Sequence, residues 1–189
     1  MNSVKTMRWV GDADGYLELL DQTLLPGKVQ VLACHDVPAV WEAIQQLHVR
    51  GAPAIGVTAA YGLCLGLQQE GLSSPAALRG QLQQDADQLA PSRPTAVNLG
   101  WGGSRTLRAS DGAVSPQEAI ERMAAEATSI QEEDQAANWA IGRHGAKLLP
   151  MDATVLTHCN AGALATAGYG TAVGVIRAGC EQGKRFQVY

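Results

Sequence analysis

Short apolar runs near the start of the chain are of the kind that forms strands. One run covers Tyr16–Leu20 and the next covers residues 29–34, and the sequence between them contains the turn signal Leu25-Pro26-Gly27-Lys28. Apolar runs on either side of such a turn are typical of paired strands. The pattern therefore predicts a small antiparallel pair in this region.

After these strands, apolar residues recur every three or four positions, which is the spacing of one helical face. Pro38 is predicted to open a first helix with Val40, Ile44 and Leu47 on its buried face. A second helix is predicted over residues 54–68. Its many glycine and alanine residues indicate close packing against other helices.

Two serine–proline pairs mark the start of further helices. Gly71 is the predicted end of the second helix, and Ser74 and Ser115 each precede a proline. Serine before proline combines a favourable N-cap with a favourable first helical residue, and Glu118 completes a capping box with Ser115. The long helix after Ser115 is predicted to carry these apolar residues on one face: Ile120, Met123, Ala127, Ile130, Ala137 and Ile141.

An acidic run, Glu132-Glu133-Asp134, lies inside that long helix. No histidine or further carboxylate completes a set of metal ligands beside it. A solvated helix face is therefore the preferred interpretation over a metal site.

The pattern changes at Pro150. Residues 153–157 form an uninterrupted β-branched and apolar run, which favours a buried parallel strand. A glycine-rich turn, a helix and a second strand over residues 185–189 complete one βαβ unit. We therefore predict an α/β chain with an N-terminal strand-plus-helical domain over residues 1–150. Residues 151–189 are expected to begin a parallel-sheet domain, and a single βαβ unit indicates that the chain is a fragment.

Composition narrows the class of protein. The chain has 189 residues, of which 46% are hydrophobic and 17% are charged, so it has enough apolar residues to form a core. A formal charge of −4 and 5% aromatic residues argue against nucleic-acid binding. The sequence has no membrane-spanning run and no signal-peptide core, which predicts a cytoplasmic protein. Its four cysteines are then expected to be free thiols.

Candidate chemistry is concentrated in the sequence His158-Cys159-Asn160-Ala161-Gly162, which follows the predicted strand. Ligands of α/β sheets bind beyond the carboxyl ends of strands, and a thiol at a helix N-terminus has a stabilised thiolate. Cys159 is therefore a candidate reactive thiol. The alternative, that Cys159 is a small buried apolar residue, remains open on position alone.

Two arginines are candidate anion ligands, because the planar guanidinium donates two parallel hydrogen bonds to phosphate. Arg50 precedes Gly51 and Ala52 at a helix break, and Arg93 stands beside a rigid proline turn. Each is also interpretable as an ordinary surface arginine. Tyr169 is expected either in the same cleft or in the core, and the glycines around it do not form a dinucleotide-binding fingerprint.

Three segments together resemble one family, S-methyl-5-thioribose-1-phosphate isomerase. They are Arg50-Gly51-Ala52-Pro53-Ala54-Ile55-Gly56, Arg93-Pro94-Thr95-Ala96-Val97-Asn98-Leu99, and the long segment from Thr157 through Cys159 to Ala172. The resemblance covers nearly the whole chain. It implies an aldose–ketose isomerase of methionine salvage that needs no cofactor or metal. It also implies a helical N-terminal domain, a Rossmann-like C-terminal domain and a homodimer.

The resemblance also implies a role for individual residues. Arg50, Gly51 and Ala52 resemble the first substrate-binding loop, Arg93 a second contact to phosphate, and Cys159 the active-site thiol. The acid/base aspartate of the family and its further substrate contacts are expected beyond Tyr189. The isolated chain is therefore expected to be inactive, or to need a second polypeptide that carries the other half.

One departure and two alternatives remain. Gly102 and Gly103 stand where the family has bulkier residues, so this segment is expected to be loosened. A related ribose-1,5-bisphosphate isomerase is one alternative, and a non-catalytic regulatory subunit of the translation initiation factor 2B type is another. Cys159 together with the Arg50 segment favours an enzyme. The sequence leaves open whether hydrogen moves as a proton or as a hydride.

Overall fold

The computed structural model describes residues 5–68 and 74–189, so the predicted helix end at Gly71 lies outside the described residues. The chain begins with a three-stranded antiparallel sheet in the order β1-β2-β3. Its strands are β1 (Met7–Val10), β2 (Tyr16–Leu20) and β3 (Val31–Cys34). The predicted pair is confirmed as β2 and β3, while β1 was missed: Met7 is buried and Arg8 exposed, but Trp9 and Val10 are both half-buried, so no clear alternation marks this strand.

Most of the remaining chain is helical. The predicted caps at Ser74 and Ser115 are confirmed, because their side chains accept hydrogen bonds from Ala77 N and Glu118 N. The capping box differs in one detail, since Glu118 accepts from Val114 N. The helices are α1 (Val37–Gln45), α2 (Ala52–Gly66), α3 (Pro75–Leu89), α4 (Val97–Ala109), α5 (Pro116–Ala146) and α6 (Ala172–Glu181).

Helix α2 is the centre of the core. It is buried on every side from Ala54 onward and contacts α1, α3, α4 and α5. It crosses α4 very closely, because a Cβ added at Gly102 would lie 2.3 Å from the carbonyl oxygen of Gly56. The expectation that Gly102 and Gly103 loosen this segment is wrong: both are buried in α4, and Gly102 permits the close helix crossing.

The predicted buried faces of α1 and α5 need correction at their C-terminal ends. Leu47 lies beyond the end of α1 with a φ of 64° and is partly exposed. Ala137 and Ile141 are exposed, and α5 there buries Asn138 and Gly142 instead. The buried face changes because this part of α5 packs against α6 and Tyr169, and a Cβ at Gly142 would lie 2.7 Å from the Tyr169 ring.

The acidic run of α5 is only partly a solvated face. Glu133 is exposed and forms an ion pair with Arg105. Asp134 is half-buried and accepts a hydrogen bond from Ala167 N at 2.7 Å. Asp134 therefore holds a loop in place, which the sequence did not indicate.

The last segment is the predicted βαβ unit. Strands β4 (Asp152–Val155) and β5 (Arg185–Val188) pair in parallel and α6 connects them. The prediction that the first strand is buried is wrong for this chain: β5 is the one described strand that pairs with β4, so the residues of β4 alternate between exposed and half-buried, and Leu156 is 84% exposed. The domain boundary near residue 150 stays a prediction. No helix in the described part of the chain is long and apolar enough to cross a membrane.

Candidate active site

Cys159 lies in an exposed turn between β4 and the glycine-rich loop, which we define as residues 161–171. Its φ is 68°, in the left-handed region, and its thiol is free. The alternative interpretation of Cys159 as a small buried residue is therefore wrong. The exposed thiol is accessible to a ligand or a reagent.

The expected helix N-terminus is not at Cys159. Only a 3-10 turn, Ala163–Ala165, follows directly, and α6 begins at Ala172. The N–H groups of Thr171 and Val173, at the start of α6, donate to the carbonyl oxygen of Ala161 at 2.9 and 3.3 Å. The first turn of α6 is therefore capped by the backbone of the loop rather than by the cysteine.

A tight corner at Gly51 packs directly against the glycine-rich loop. Gly51 has a φ of 95°, and a Cβ at this position would lie 2.4 Å from the carbonyl oxygen of Ala165. A side chain is excluded both by the backbone conformation and by the space. The corner brings Arg50 and the exposed start of α2 at Ala52 next to the loop that follows Cys159.

A first cavity, with a volume of about 590 Å³, opens between this corner and the loop. Arg50 lines it on one side, and Asn160 and Leu164 line it on the other. Gln22 and Thr23, from the segment after β2, also line it, together with Leu25, Pro26, Gln46 and Leu47. The structure therefore brings Arg50 and the residue after Cys159 to one space of a size typical for small-molecule sites.

The N-terminal segment holds the loop at the rim of the first cavity. The Thr6 hydroxyl donates to the carbonyl oxygen of Ala163 at 3.0 Å, and Gln22 Nε2 donates to that of Leu164 at 2.7 Å. The sequence analysis missed both residues. Each contact spans more than 140 residues, and no local pattern indicates it.

Asp21 stabilises the chain next to the corner at Gly51, through contacts with Thr23 and His48. Its buried carboxylate caps the turn at Thr23 and lies 2.8 Å from His48 Nδ1. Burial raises the pKa of Asp21, but the hydrogen bonds from Thr23 and His48 together lower it more, so this pKa is below its usual value. His48 also accepts from Gln22 N through its carbonyl oxygen, which ties the wall of the first cavity to the Arg50 corner.

Asp21→Asn is expected to lower the free energy of unfolding at pH 7 by about 1–2 kcal/mol, because charge-assisted hydrogen bonds are lost. A depressed carboxyl pKa gives stability above the unfolded pKa of about 3.9, and this stability is lost as the pH falls through the folded pKa. Urea titrations at pH 7 and pH 3 test this. The difference between wild type and Asp21→Asn should shrink at pH 3, and the exposed Asp87→Asn should show little effect at either pH. A difference independent of pH would contradict the assignment.

The structure does not bring Arg93 to the first cavity. Arg93 is half-buried and follows a 3-10 turn over Ala90–Ser92. Among the described residues that line the cavity, Arg50 is the one arginine. A role for Arg93 in binding phosphate stays a prediction.

Tyr169 belongs to the far end of the glycine-rich loop. It is buried with a φ of 71°, and its ring stacks on Trp139 at 3.8 Å between centroids. Its hydroxyl donates to Glu181 at 2.9 Å, and burial together with this contact raises the pKa of Tyr169 to about 12. Tyr169 therefore packs in the core between α5 and α6 and does not line the first cavity.

The chain is similar to several isomerases of known sequence. It is 49% identical to methylthioribose-1-phosphate isomerase from Geobacter metallireducens, over 99% of this chain and 54% of that protein. It is 48% identical to the enzyme of the same name from Pelotomaculum thermopropionicum, over 97% of this chain and 50% of that protein. It is 47% identical to 5-deoxyribose 1-phosphate isomerase from Moorella thermoacetica, over 93% of this chain and 51% of that protein. The chain thus spans about half the length of the curated relatives it matches.

Solved structures agree with these similarities. Translation initiation factor eIF-2B subunit delta from A. fulgidus matches with a TM-score of 0.85 and 42% identity, over 98% of this chain and 54% of that one. 5-Methylthioribose 1-phosphate isomerase from Pyrococcus horikoshii OT3 matches with a TM-score of 0.84 and 35% identity, over 96% of this chain and 50% of that one. The model of the initiation factor 2 subunit family matches residues 48–189, well over half of the chain. The chain therefore belongs to the initiation factor 2 subunit family.

Proposed function

We propose that this chain supplies the N-terminal half of an aldose–ketose isomerase that converts 5-methylthioribose 1-phosphate to 5-methylthioribulose 1-phosphate in methionine salvage. The observation that carries the proposal is the first cavity, where Arg50 faces the loop residue that follows Cys159. Relatives at 47–49% identity bear the names of sugar-phosphate isomerases, which supports the same reaction class.

Arg50 is proposed to bind the phosphate of the substrate. Its side chain is exposed and forms no hydrogen bond or ion pair with the residues described in the structure, so its guanidinium is available for two parallel hydrogen bonds. Gly51 and Ala52 place the start of α2 beside it, where backbone N–H groups favour an anion. Arg93 is proposed as a second contact to phosphate.

Cys159 is proposed as the thiol that exchanges a proton with the substrate. The phosphate on C1 prevents simple opening to a free aldehyde, so the C1–O bond of the ring must break while the ring oxygen gains a proton. A hydrogen must also move from C2 to C1, and the C2 hydroxyl becomes a carbonyl. An exposed thiol next to Asn160, which lines the first cavity, is suited to one of these proton transfers. The partner acid/base is proposed in the other half of the subunit.

A regulatory subunit of the initiation factor 2B type is the second candidate function. The match to eIF-2B subunit delta, with a TM-score of 0.85, favours it specifically. An enzyme is the better proposal because Arg50 lines one cavity with Asn160, the residue that follows the exposed Cys159. We further propose that the protein is a cytoplasmic homodimer that binds a sugar phosphate and neither nucleic acid nor membrane.

A substrate panel tests the proposal. The protein that carries this chain, at its full encoded length, is assayed for ketose formation from 5-methylthioribose 1-phosphate, 5-deoxyribose 1-phosphate and ribose 1,5-bisphosphate. The largest kcat/KM is expected with 5-methylthioribose 1-phosphate. Preference for one of the other two sugars would reassign the substrate. Absence of turnover with all three, in a protein that still binds them, would favour the regulatory subunit.

A further inference from the structure

A second cavity, with a volume of about 330 Å³, lies at the far end of the glycine-rich loop. Gly168 and Tyr169 form one wall, and Lys5 with residues of β1, α5 and α6 forms the others. The first cavity is lined by Asn160 and Leu164, so one loop borders both spaces without sharing a lining residue. The function proposed above uses only the first of them.

The second cavity is lined by cations and by no carboxylate among the described residues. The cations are Lys5, Arg8 and Arg177. Arg8 and Arg177 each use Nε for an ion pair, with Glu18 at 2.6 Å and with Glu181 at 3.0 Å. The Arg177 guanidinium also lies over the Tyr169 ring, 4.6 Å from its centroid, and the terminal nitrogens of both arginines form no hydrogen bond with the described residues. Lys5 has no hydrogen-bond or ion-pair partner in the described ranges, which leaves its ammonium group as a free donor.

Polar and aromatic side chains of the second cavity are held in place by contacts within the protein. The Oε1 atom of Gln131 accepts from the hydroxyl of Tyr61 at 2.7 Å, which leaves the Gln131 amide NH₂ as a donor at the cavity. Gln135 Nε2 is bonded to the carbonyl oxygen of Ala167. The stack of Tyr169 on Trp139 holds the ring rigid. The site is therefore preformed and rich in donors.

We propose that the second cavity binds the phosphate group of a small phosphorylated metabolite. The terminal guanidinium nitrogens of Arg8 and Arg177 and the Lys5 ammonium group are donors suited to phosphate oxygens. Glu18 and Glu181 balance the charges of the two arginines, so Lys5 supplies the net positive charge at the cavity. A volume of about 330 Å³ exceeds what a phosphate ion alone fills and leaves room for a sugar-sized substituent. The proposal does not depend on the isomerase reaction.

Titration of the ¹⁵N-labelled full-length protein with inorganic phosphate, at constant ionic strength, tests the proposal by NMR. Saturable shifts are expected for the backbone amides of Gly168 and Tyr169 and for the side-chain amide of Gln131. Lys5→Gln and Arg8→Gln, two substitutions at exposed positions, should each weaken this binding about fivefold to tenfold. Arg50→Gln, at the first cavity, should leave these shifts unchanged.

Two results would overturn the proposal. One is saturable binding confined to residues around Arg50 and Asn160, with none at Tyr169. The other is a set of shifts at Gly168 and Tyr169 that neither Lys5→Gln nor Arg8→Gln weakens. Because two separate cations are tested, misfolding of one variant does not prevent a decision.

Discussion

Replacing Cys159 by serine is expected to reduce turnover of 5-methylthioribose 1-phosphate by about 10²–10⁴-fold, which is the typical contribution of a positioned proton donor or acceptor. The serine hydroxyl is similar in size to the thiol but much less acidic. Because Cys159 is exposed and lies outside the core, the free energy of unfolding should be almost unchanged. Steady-state kinetics of the full-length protein and urea titrations measure the two quantities.

Cys180 offers a matched control within the same segment. It is a free, exposed cysteine of α6 and lines neither cavity. Cys180→Ser should retain turnover within a factor of about two of wild type, since surface substitutions away from a site have small effects. Near-wild-type turnover in Cys159→Ser would remove Cys159 from the proposed mechanism.

Gly51→Ala is the second substitution with a large expected effect. The left-handed φ of 95° costs about 1–3 kcal/mol for a residue with a Cβ. The new methyl would also overlap with Ala165, so the corner and the loop must move apart. A displacement of about 1 Å at a reactive site costs on the order of 10²-fold in rate. We therefore expect a less stable protein and a kcat/KM at least 10²-fold lower.

Gly80→Ala separates this effect from a general effect of glycine replacement. Gly80 lies in the interior of α3, where an added Cβ meets nothing within 4 Å, so alanine should stabilise the helix by about 0.5–1 kcal/mol. Thermal unfolding measures the stability of both variants, and steady-state kinetics measures their kcat/KM. If Gly51→Ala matches wild type in stability and rate, the close contact between the Arg50 corner and the loop is not required.

The parts of the fold that the sequence predicted correctly depend on local signals. The caps at Ser74 and Ser115, the strand Tyr16–Leu20 and each element of the βαβ unit follow from patterns within a few residues. The failures have a different origin. The buried face of α5 changes at Asn138 because a distant segment packs there, and helical spacing alone contains no information about that segment.

The candidate site shows the same division. The resemblance named Arg50, Gly51 and Cys159, but the contact between Gly51 and Ala165 joins residues far apart in the chain. The hydrogen bonds from Thr6 and Gln22 to the glycine-rich loop also depend on the folded chain. Such contacts are set by tertiary packing, so a single sequence could not reveal them.

The exposure of the cysteines allows a direct test of whether substrate occupies the proposed site. Cys34 and Cys64 are buried, and burial raises the pKa of their thiols to about 11 and about 12, so they react slowly with iodoacetamide. Cys159 and Cys180 are both exposed. Peptide mass spectrometry therefore follows Cys159 as the reporter and Cys180 as the internal reference.

The most direct measurement is the alkylation rate of Cys159 in the full-length protein, with and without saturating 5-methylthioribose 1-phosphate. We predict that the sugar phosphate slows alkylation of Cys159 at least tenfold (about 1.4 kcal/mol) and leaves Cys180 unchanged. In Arg50→Gln the same protection should require a higher sugar concentration. Equal alkylation of Cys159 at every concentration of the sugar would contradict a substrate site between Arg50 and Cys159.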